Sequence, residues 1–110
     1  MAPKSTRSVK SVLQEALACL ERQGWCQHEL QNADGQVCLD GALRYAIWGD
    51  AAHPCFTIVP GNTHRELYVR VWHFLGTQVP VLGLTLWNDT PGRTWHEVRT
   101  MLKTATREAR

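Results

Sequence analysis

Apolar positions recur every three or four residues between positions 7 and 23, and this spacing predicts an amphipathic helix with one buried face. Ser5 or Ser8 can cap the beginning of this helix, and Gly24 is a typical residue to end it. The positions expected to face the core are Val9, Val12, Leu13, Ala16, Leu17 and Leu20.

Two further helices have clear beginnings. Thr63 and Thr94 are each followed three residues later by Glu, which fits the capping box, in which each side chain bonds the other residue's backbone amide. Apolar positions at helical spacing follow both threonines. The pattern therefore predicts helices over 63–76 and 94–107.

The middle of the chain is less regular. Asp40 can cap a short helix over 41–48, since a carboxylate at that position accepts from the first free amides. Residues 50–62 are rich in Pro and Gly and are predicted to form a loop, with a brief extended segment at 56–59. The apolar run 79–87 fits either a strand or a short helix.

A turn signal also follows the first helix. Asp34 and Gly35 lie between two short, partly apolar runs, 24–30 and 36–39, and an Asp-Gly pair in that position is typical of a β-hairpin. An isolated two-stranded ribbon is barely stable in water, so we expect this hairpin to lie against the helices.

These elements predict a mainly α fold of α+β type, with about four helices packed in one compact domain and a small β-hairpin after helix one. Residues 1–6 are expected to form a flexible N-terminus, and 7–110 a single globular domain, a size typical of one domain. Hydrophobic residues make up 44% of the chain and charged residues 20%, which argues against a disordered protein.

No apolar stretch approaches the roughly 18 residues of a membrane span, and the basic N-terminus lacks the apolar segment of a secretory signal. We therefore expect a cytoplasmic protein without a membrane partner, whose four cysteines are thiols.

The charge pattern gives little information about a partner. The formal net charge is only +2, which disfavours nucleic acid as the main partner. Four basic residues nevertheless lie along the last predicted helix, and a weakly nucleic-acid-binding accessory protein remains one alternative. They are Arg99, Lys103, Arg107 and Arg110.

Soft metal ligands raise a second alternative, a small metal-binding or cysteine-dependent enzyme. Cys26 and His28 form one close pair, Cys55 lies beside another His, and Cys38 is expected near the first pair, so four zinc ligands are available. Neither pair has the spacing of a zinc knuckle, and we expect no cofactor. Cys38 also lies near a predicted helix start, where backbone amides can lower a thiol pKa.

The sequence contains no phosphate-binding glycine loop and no recognisable hydrolase motif, so we expect a non-enzymatic binding module. Five tryptophans are many for this length, and aromatic residues favour recognition surfaces and also fit a homodimer interface. The expected partner is a host protein or a small anionic ligand. The expected contact residues are Trp25, His28, Trp87, Asn88, Asp89, Arg93 and Trp95.

Three stretches also carry a family resemblance: GWCQ at 24–27, DGQVCLDGAL at 34–43 and WNDTPGRTWHEV at 87–98. Together they resemble an uncharacterised family of short proteins from actinobacteria and their phages. The resemblance implies an accessory gene product of a bacterial or phage cytosol. It implies no activity, cofactor or catalytic residue.

Overall fold

The computed structural model describes residues 7–54, 63–79 and 83–110, and these ranges contain five α-helices. The helices are α1 (Val9–Gln23), α2 (Leu39–Trp48), α3 (Thr63–Gly76), α4 (Leu84–Asn88) and α5 (Trp95–Glu108). Helix α1 packs against α2, α3 and α5, and α2 also contacts α3 and α4. Within the described ranges, no helix has the length and apolar character needed to cross a bilayer. The predicted flexible N-terminus at 1–6 and the extended segment at 56–59 lie outside those ranges.

The structure confirms the first predicted helix, which is α1. The Ser8 hydroxyl accepts a hydrogen bond of 3.0 Å from the Ser11 amide and caps the helix. Gly24 ends it with a backbone φ of 93°, a conformation that favours glycine, and donates its amide to the Leu20 carbonyl. The predicted inward positions are buried, except that Val9 and Leu17 are partly buried against the core.

Helix α2 begins earlier than predicted, and its cap is Cys38, whose Sγ accepts from the Gly41 amide at 3.2 Å. The prediction of Asp40 as the cap is wrong. Asp40 lies inside the first turn, where its buried carboxylate accepts from the Arg44 guanidinium at 3.0 Å and from the Tyr68 hydroxyl at 2.6 Å. A carboxylate bound by these two donors is not available to the helix amides.

The capping box of α5 is confirmed. The Thr94 hydroxyl accepts from the Glu97 amide at 3.2 Å, and the Glu97 carboxylate accepts from the Thr94 amide at 2.9 Å. The ambiguous run 79–87 ends in the short helix α4, because residues from Leu84 onward are helical. Residues 80–82 lie outside the described ranges.

The predicted β-hairpin after α1 is wrong, since the described residues contain five helices and no strand. Between α1 and α2, Val37 forms an isolated parallel bridge with Trp25 and an isolated antiparallel bridge with Gln31. The chain there is a folded loop in which both bridges involve Val37, and it has no continuous ladder of strand hydrogen bonds.

Side chains accept from several backbone amides of this loop that a continuous ladder would use. His28 has a φ of 73°, which turns the chain out of an extended path, and its amide donates to the Asp89 carboxylate at 2.9 Å. The Asn32 side chain accepts from the amides of Asp34 at 3.1 Å and Gln36 at 2.9 Å, which forms the predicted turn without the strands.

The first turn of α2 lies directly on this loop. The Cys38 amide donates to the Leu30 carbonyl at 3.2 Å. A Cβ atom on Gly41 would come within 2.1 Å of the same carbonyl oxygen, which no real contact allows. Glycine at position 41 is therefore what permits helix and loop to meet backbone to backbone.

Candidate functional site

The predicted contact residues fall into two groups, and the first is arranged around Asn88. This side chain is 1% exposed, and its Oδ1 accepts from Trp25 Nε1 at 2.8 Å and from the Leu39 amide at 3.0 Å. Its Nδ2 donates to the Cys26 carbonyl at 3.3 Å and to Asp89 Oδ1 at 2.9 Å. Both polar atoms of Asn88 are thus occupied within the protein, and it joins α4 to the loop before α2.

His28 and Asp89 lie at the rim of this first group. The His28 side chain is 72% exposed, and its Nδ1 lies 3.9 Å from Asp89 Oδ2. Gln27 fastens the same loop, since its Nε2 donates to the carbonyls of Asn88 at 3.0 Å and Thr90 at 3.1 Å. These contacts give Trp25, Asn88 and Asp89 a structural role.

A cavity of about 80 Å³ lies behind the loop and is lined in part by Cys38 and Asp40. A water molecule occupies roughly 30 Å³ of liquid, so this space suits a few waters and not an organic ligand. The Asp40 carboxylate at its wall is already bonded to Arg44 and Tyr68.

The cysteines are not activated. Burial raises the pKa of Cys38 to about 11, although the Gly41 amide bonded to its sulfur acts in the opposite direction. The alternative of a thiol whose pKa is lowered at the helix start, which the sequence left open, is therefore wrong. Burial also raises the pKa of Cys26. No group of three or more His, Cys, Asp or Glu side chains in the described parts of the chain could hold a metal ion, and Cys55 lies outside those parts.

The second group of predicted contact residues lies around Trp87. The Arg93 guanidinium carbon lies 4.2 Å from the centre of a Trp87 ring, a cation–π geometry. Arg93 Nε donates to the Trp87 carbonyl at 2.9 Å, and Nη1 donates to Glu97 at 3.2 Å. These contacts hold the guanidinium over the indole in the turn before α5.

Trp87 and Arg93 form one end of an open groove of about 460 Å³, which we call the α5 groove. Its surface is mostly apolar, although the two large apolar side chains that line it, Trp87 and Met101, are only 5% and 9% exposed. The lining residues are Gln78, Trp87, Arg93, His96, Glu97, Thr100, Met101 and Thr104. Trp95, which the sequence also suggested, does not line it and packs partly buried against the core.

Sequence reasoning found Trp87 and Arg93 but missed most of the groove. His96, Thr100 and Thr104 recur at four-residue spacing on the predicted last helix, so they share one face of it. That spacing was the available signal. The groove itself depends on where residue 78 and α4 lie against this face, which no local pattern indicates.

Cations border the groove on the exposed side of α5. Arg99 pairs with Glu21 at 3.3 Å. Lys103, Arg107 and Arg110 are exposed and form no ion pair with any residue in the described ranges.

Comparison with known proteins gives one match. A family model described as "Family of unknown function (DUF6197)" matches residues 4–108. No curated protein and no solved structure has significant similarity to the chain. The match covers both the α5 groove and the Asn88 contacts, and its description assigns no activity to either.

Proposed function

The chain belongs to this family of unknown function, and we propose that it is a non-enzymatic binding module that holds a segment of a host protein in the α5 groove. One observation carries the proposal: a groove of about 460 Å³ with a mostly apolar floor and a polar rim, built on one face of α5. Interface centres combine apolar surface with surrounding polar groups in this way.

The chemistry of the groove favours binding over turnover. Among the described residues that line it, the charged pair Arg93 and Glu97 is engaged internally, and His96 is the remaining titratable side chain. Covalent catalysis usually requires a nucleophile with an adjacent base, whereas the titratable residues of this groove are a paired Arg93 and Glu97 and a single histidine. The most buried thiol near the loop, Cys38, has its pKa raised to about 11, which leaves it protonated at neutral pH.

The shape of the groove favours a protein segment over a small molecule. Small-molecule sites enclose most of their ligand, whereas this groove is open along α5. From His96 to Thr104 the helix rises about 12 Å, enough for several residues of a bound chain. Leu86 precedes Trp87 in α4 and is 67% exposed, the one large hydrophobic side chain exposed in the described ranges. A small anionic ligand beside Arg93 is the second candidate.

The cellular setting is part of the proposal. Three motifs resemble proteins of actinobacteria and their phages, and this resemblance supports an accessory protein of a bacterial or phage cytoplasm. The free, buried state of Cys19, Cys26 and Cys38 fits a reducing compartment.

Photo-crosslinking tests the proposal. A photoreactive amino acid replaces Thr100, which lines the groove, and in a control replaces Gln14, which is exposed on α1 and does not line it. The cells that naturally express the chain are irradiated, and crosslinked products are identified by mass spectrometry. We expect one protein captured from position 100 and not from position 14. Equal capture at both positions, or no capture at 100, would reject the groove as the binding surface.

Native mass spectrometry of the gently purified protein separates the second candidate. Extra mass of a metabolite, lost in an Arg93→Ala variant, would favour the small anionic ligand. A crosslink between two copies of the chain would instead identify a homodimer.

A further inference from the structure

Paired and unpaired cations are unevenly distributed over the molecule. Four arginines have carboxylate partners in the described ranges: Arg7 with Glu15, Arg44 with Asp40, Arg93 with Glu97 and Arg99 with Glu21. Lys103, Arg107 and Arg110 have none there, although the whole chain is nearly balanced at +2. Lys10, Arg22 and Arg70 also have no carboxylate partner there, but they are spread over α1 and α3, whereas Lys103, Arg107 and Arg110 follow one another along α5 and the residues after it.

These three cations run alongside the α5 groove. A spacing of four residues places Lys103 and Arg107 on one side of α5, and Arg110 follows the end of that helix. Thr100 and Thr104, which line the groove, each precede a member of the row by three residues. Arg107 Nη2 also donates to Thr104 Oγ1 at 3.4 Å, so the row borders the groove directly.

Helix stability accounts for only part of this row. Cations in the last turn of a helix interact favourably with its dipole, and the effect falls off beyond that turn. Arg107 lies in the last turn of α5, but Lys103 lies before it. The helix dipole therefore explains the position of Arg107 but not that of Lys103.

We infer that the segment held in the α5 groove is an acidic protein segment. Its apolar side chain would lie against the apolar part of the groove surface, and its carboxylates would lie against Lys103 and Arg107. This inference rests on the proposed function and adds the chemistry of the partner. A phosphate backbone would meet the cations equally well but would gain nothing from the apolar floor, so the groove favours protein over nucleic acid.

The crosslinking experiment at position 100 also tests this inference, because mass spectrometry identifies the captured peptide. We expect a segment with net negative charge and at least one large apolar residue. A captured segment that is neutral or basic, a nucleic acid, or a second copy of this chain would overturn the inference. A neutral or basic host-protein segment would leave the proposed function intact, whereas no capture at position 100 would reject both.

Charge reversal then tests the assigned cations. A synthetic peptide of the captured segment is titrated against the wild type and against the double variant K103E/R107E. We expect affinity about tenfold weaker or more for the double variant, mainly through slower association, and weaker binding as salt is raised. R70E is the matched control, because Arg70 is exposed on α3 and does not line the groove. Affinity unchanged in K103E/R107E, with circular dichroism showing both variants folded, would overturn the inference.

Discussion

The indole Nε1 of Trp25 donates a hydrogen bond of 2.8 Å to Oδ1 of Asn88, a residue 63 positions later. The same oxygen accepts from the Leu39 amide at 3.0 Å. One buried side chain thus fixes the loop after α1, the first turn of α2 and the end of α4. Both residues were also predicted to contact a partner, and that prediction remains untested.

We predict that Asn88→Ala destabilises the fold by about 2–4 kcal/mol. The substitution leaves the partly buried Trp25 indole and the buried Leu39 amide without their acceptor, and each unsatisfied buried group costs about 1–3 kcal/mol. Urea unfolding followed by circular dichroism measures the change. Leu86→Ala in the same helix is the control, since an exposed side chain should alter stability by less than about 0.5 kcal/mol. Similar losses in both variants would contradict the structural role of Asn88.

The buried pair of Asp40 and Arg44 gives a second prediction. Asp40→Asn keeps the shape of the side chain but leaves the Arg44 charge uncompensated in a buried position, which should cost about 3 kcal/mol. The same substitution at exposed Asp50 is the matched control, because Asn can still accept from the Ala52 amide there. Thermal unfolding of the two variants should separate clearly. A small effect at position 40 would mean that the ion pair is solvated.

A third prediction compares two glycines. Gly41→Ala should prevent normal folding, because the new Cβ would lie 2.1 Å from the Leu30 carbonyl oxygen, a backbone atom that cannot move alone. Gly76→Ala at the end of α3 meets nothing within 4 Å and should be neutral or stabilise by up to about 1 kcal/mol. Soluble yield and unfolding midpoint report both effects. A well-folded Gly41→Ala protein with unchanged stability would refute the close approach.

Stability should also fall at alkaline pH because of Cys38. Its pKa is raised by burial from 9.0 to about 11 in the folded protein, so the unfolded chain loses this proton first as the pH rises. The contribution is fully present below about pH 9 and is lost between about pH 9 and 11, by about 2 kcal/mol. Denaturant titrations across that range measure it.

Cys38→Ser is the appropriate control, because a serine hydroxyl can keep the cap of α2 without titrating in this range. The wild type should lose about 2 kcal/mol more than this variant on going to alkaline pH, since Cys19 and Cys26 contribute equally to both. Parallel pH profiles for the two proteins would show that Cys38 does not titrate as assigned.

Local patterns predicted the long helices well. Helices α1, α3 and α5 follow from apolar spacing and from caps at residues such as Ser8 and Thr94, which act within one turn of the chain. The prediction of a β-hairpin was wrong because the contact that decides the path of this loop is distant in the sequence. The His28 amide bonds to Asp89, which is 61 residues away, and no property of the loop itself reveals that partner.

The same distinction between local and distant contacts applies to the site. Trp87 and Arg93 could be selected as contact residues because an aromatic ring and a guanidinium in one turn are informative by themselves. Met101 could be predicted only as a core position of the last helix. Its place in the groove depends on tertiary packing against Trp87, and so does the role of Gln78.

The meeting of Gly41 with the Leu30 carbonyl also provides a marker for reading related sequences. Any relative with a side chain at the position of Gly41 must lead its loop past α2 by another route, because no rotamer can relieve a collision between a Cβ atom and a backbone oxygen. That single position therefore sorts relatives by loop geometry before any of their structures is known. Relatives that keep this glycine, and also have asparagine at the position of Asn88, are the ones to which the Asn88 contacts can be transferred.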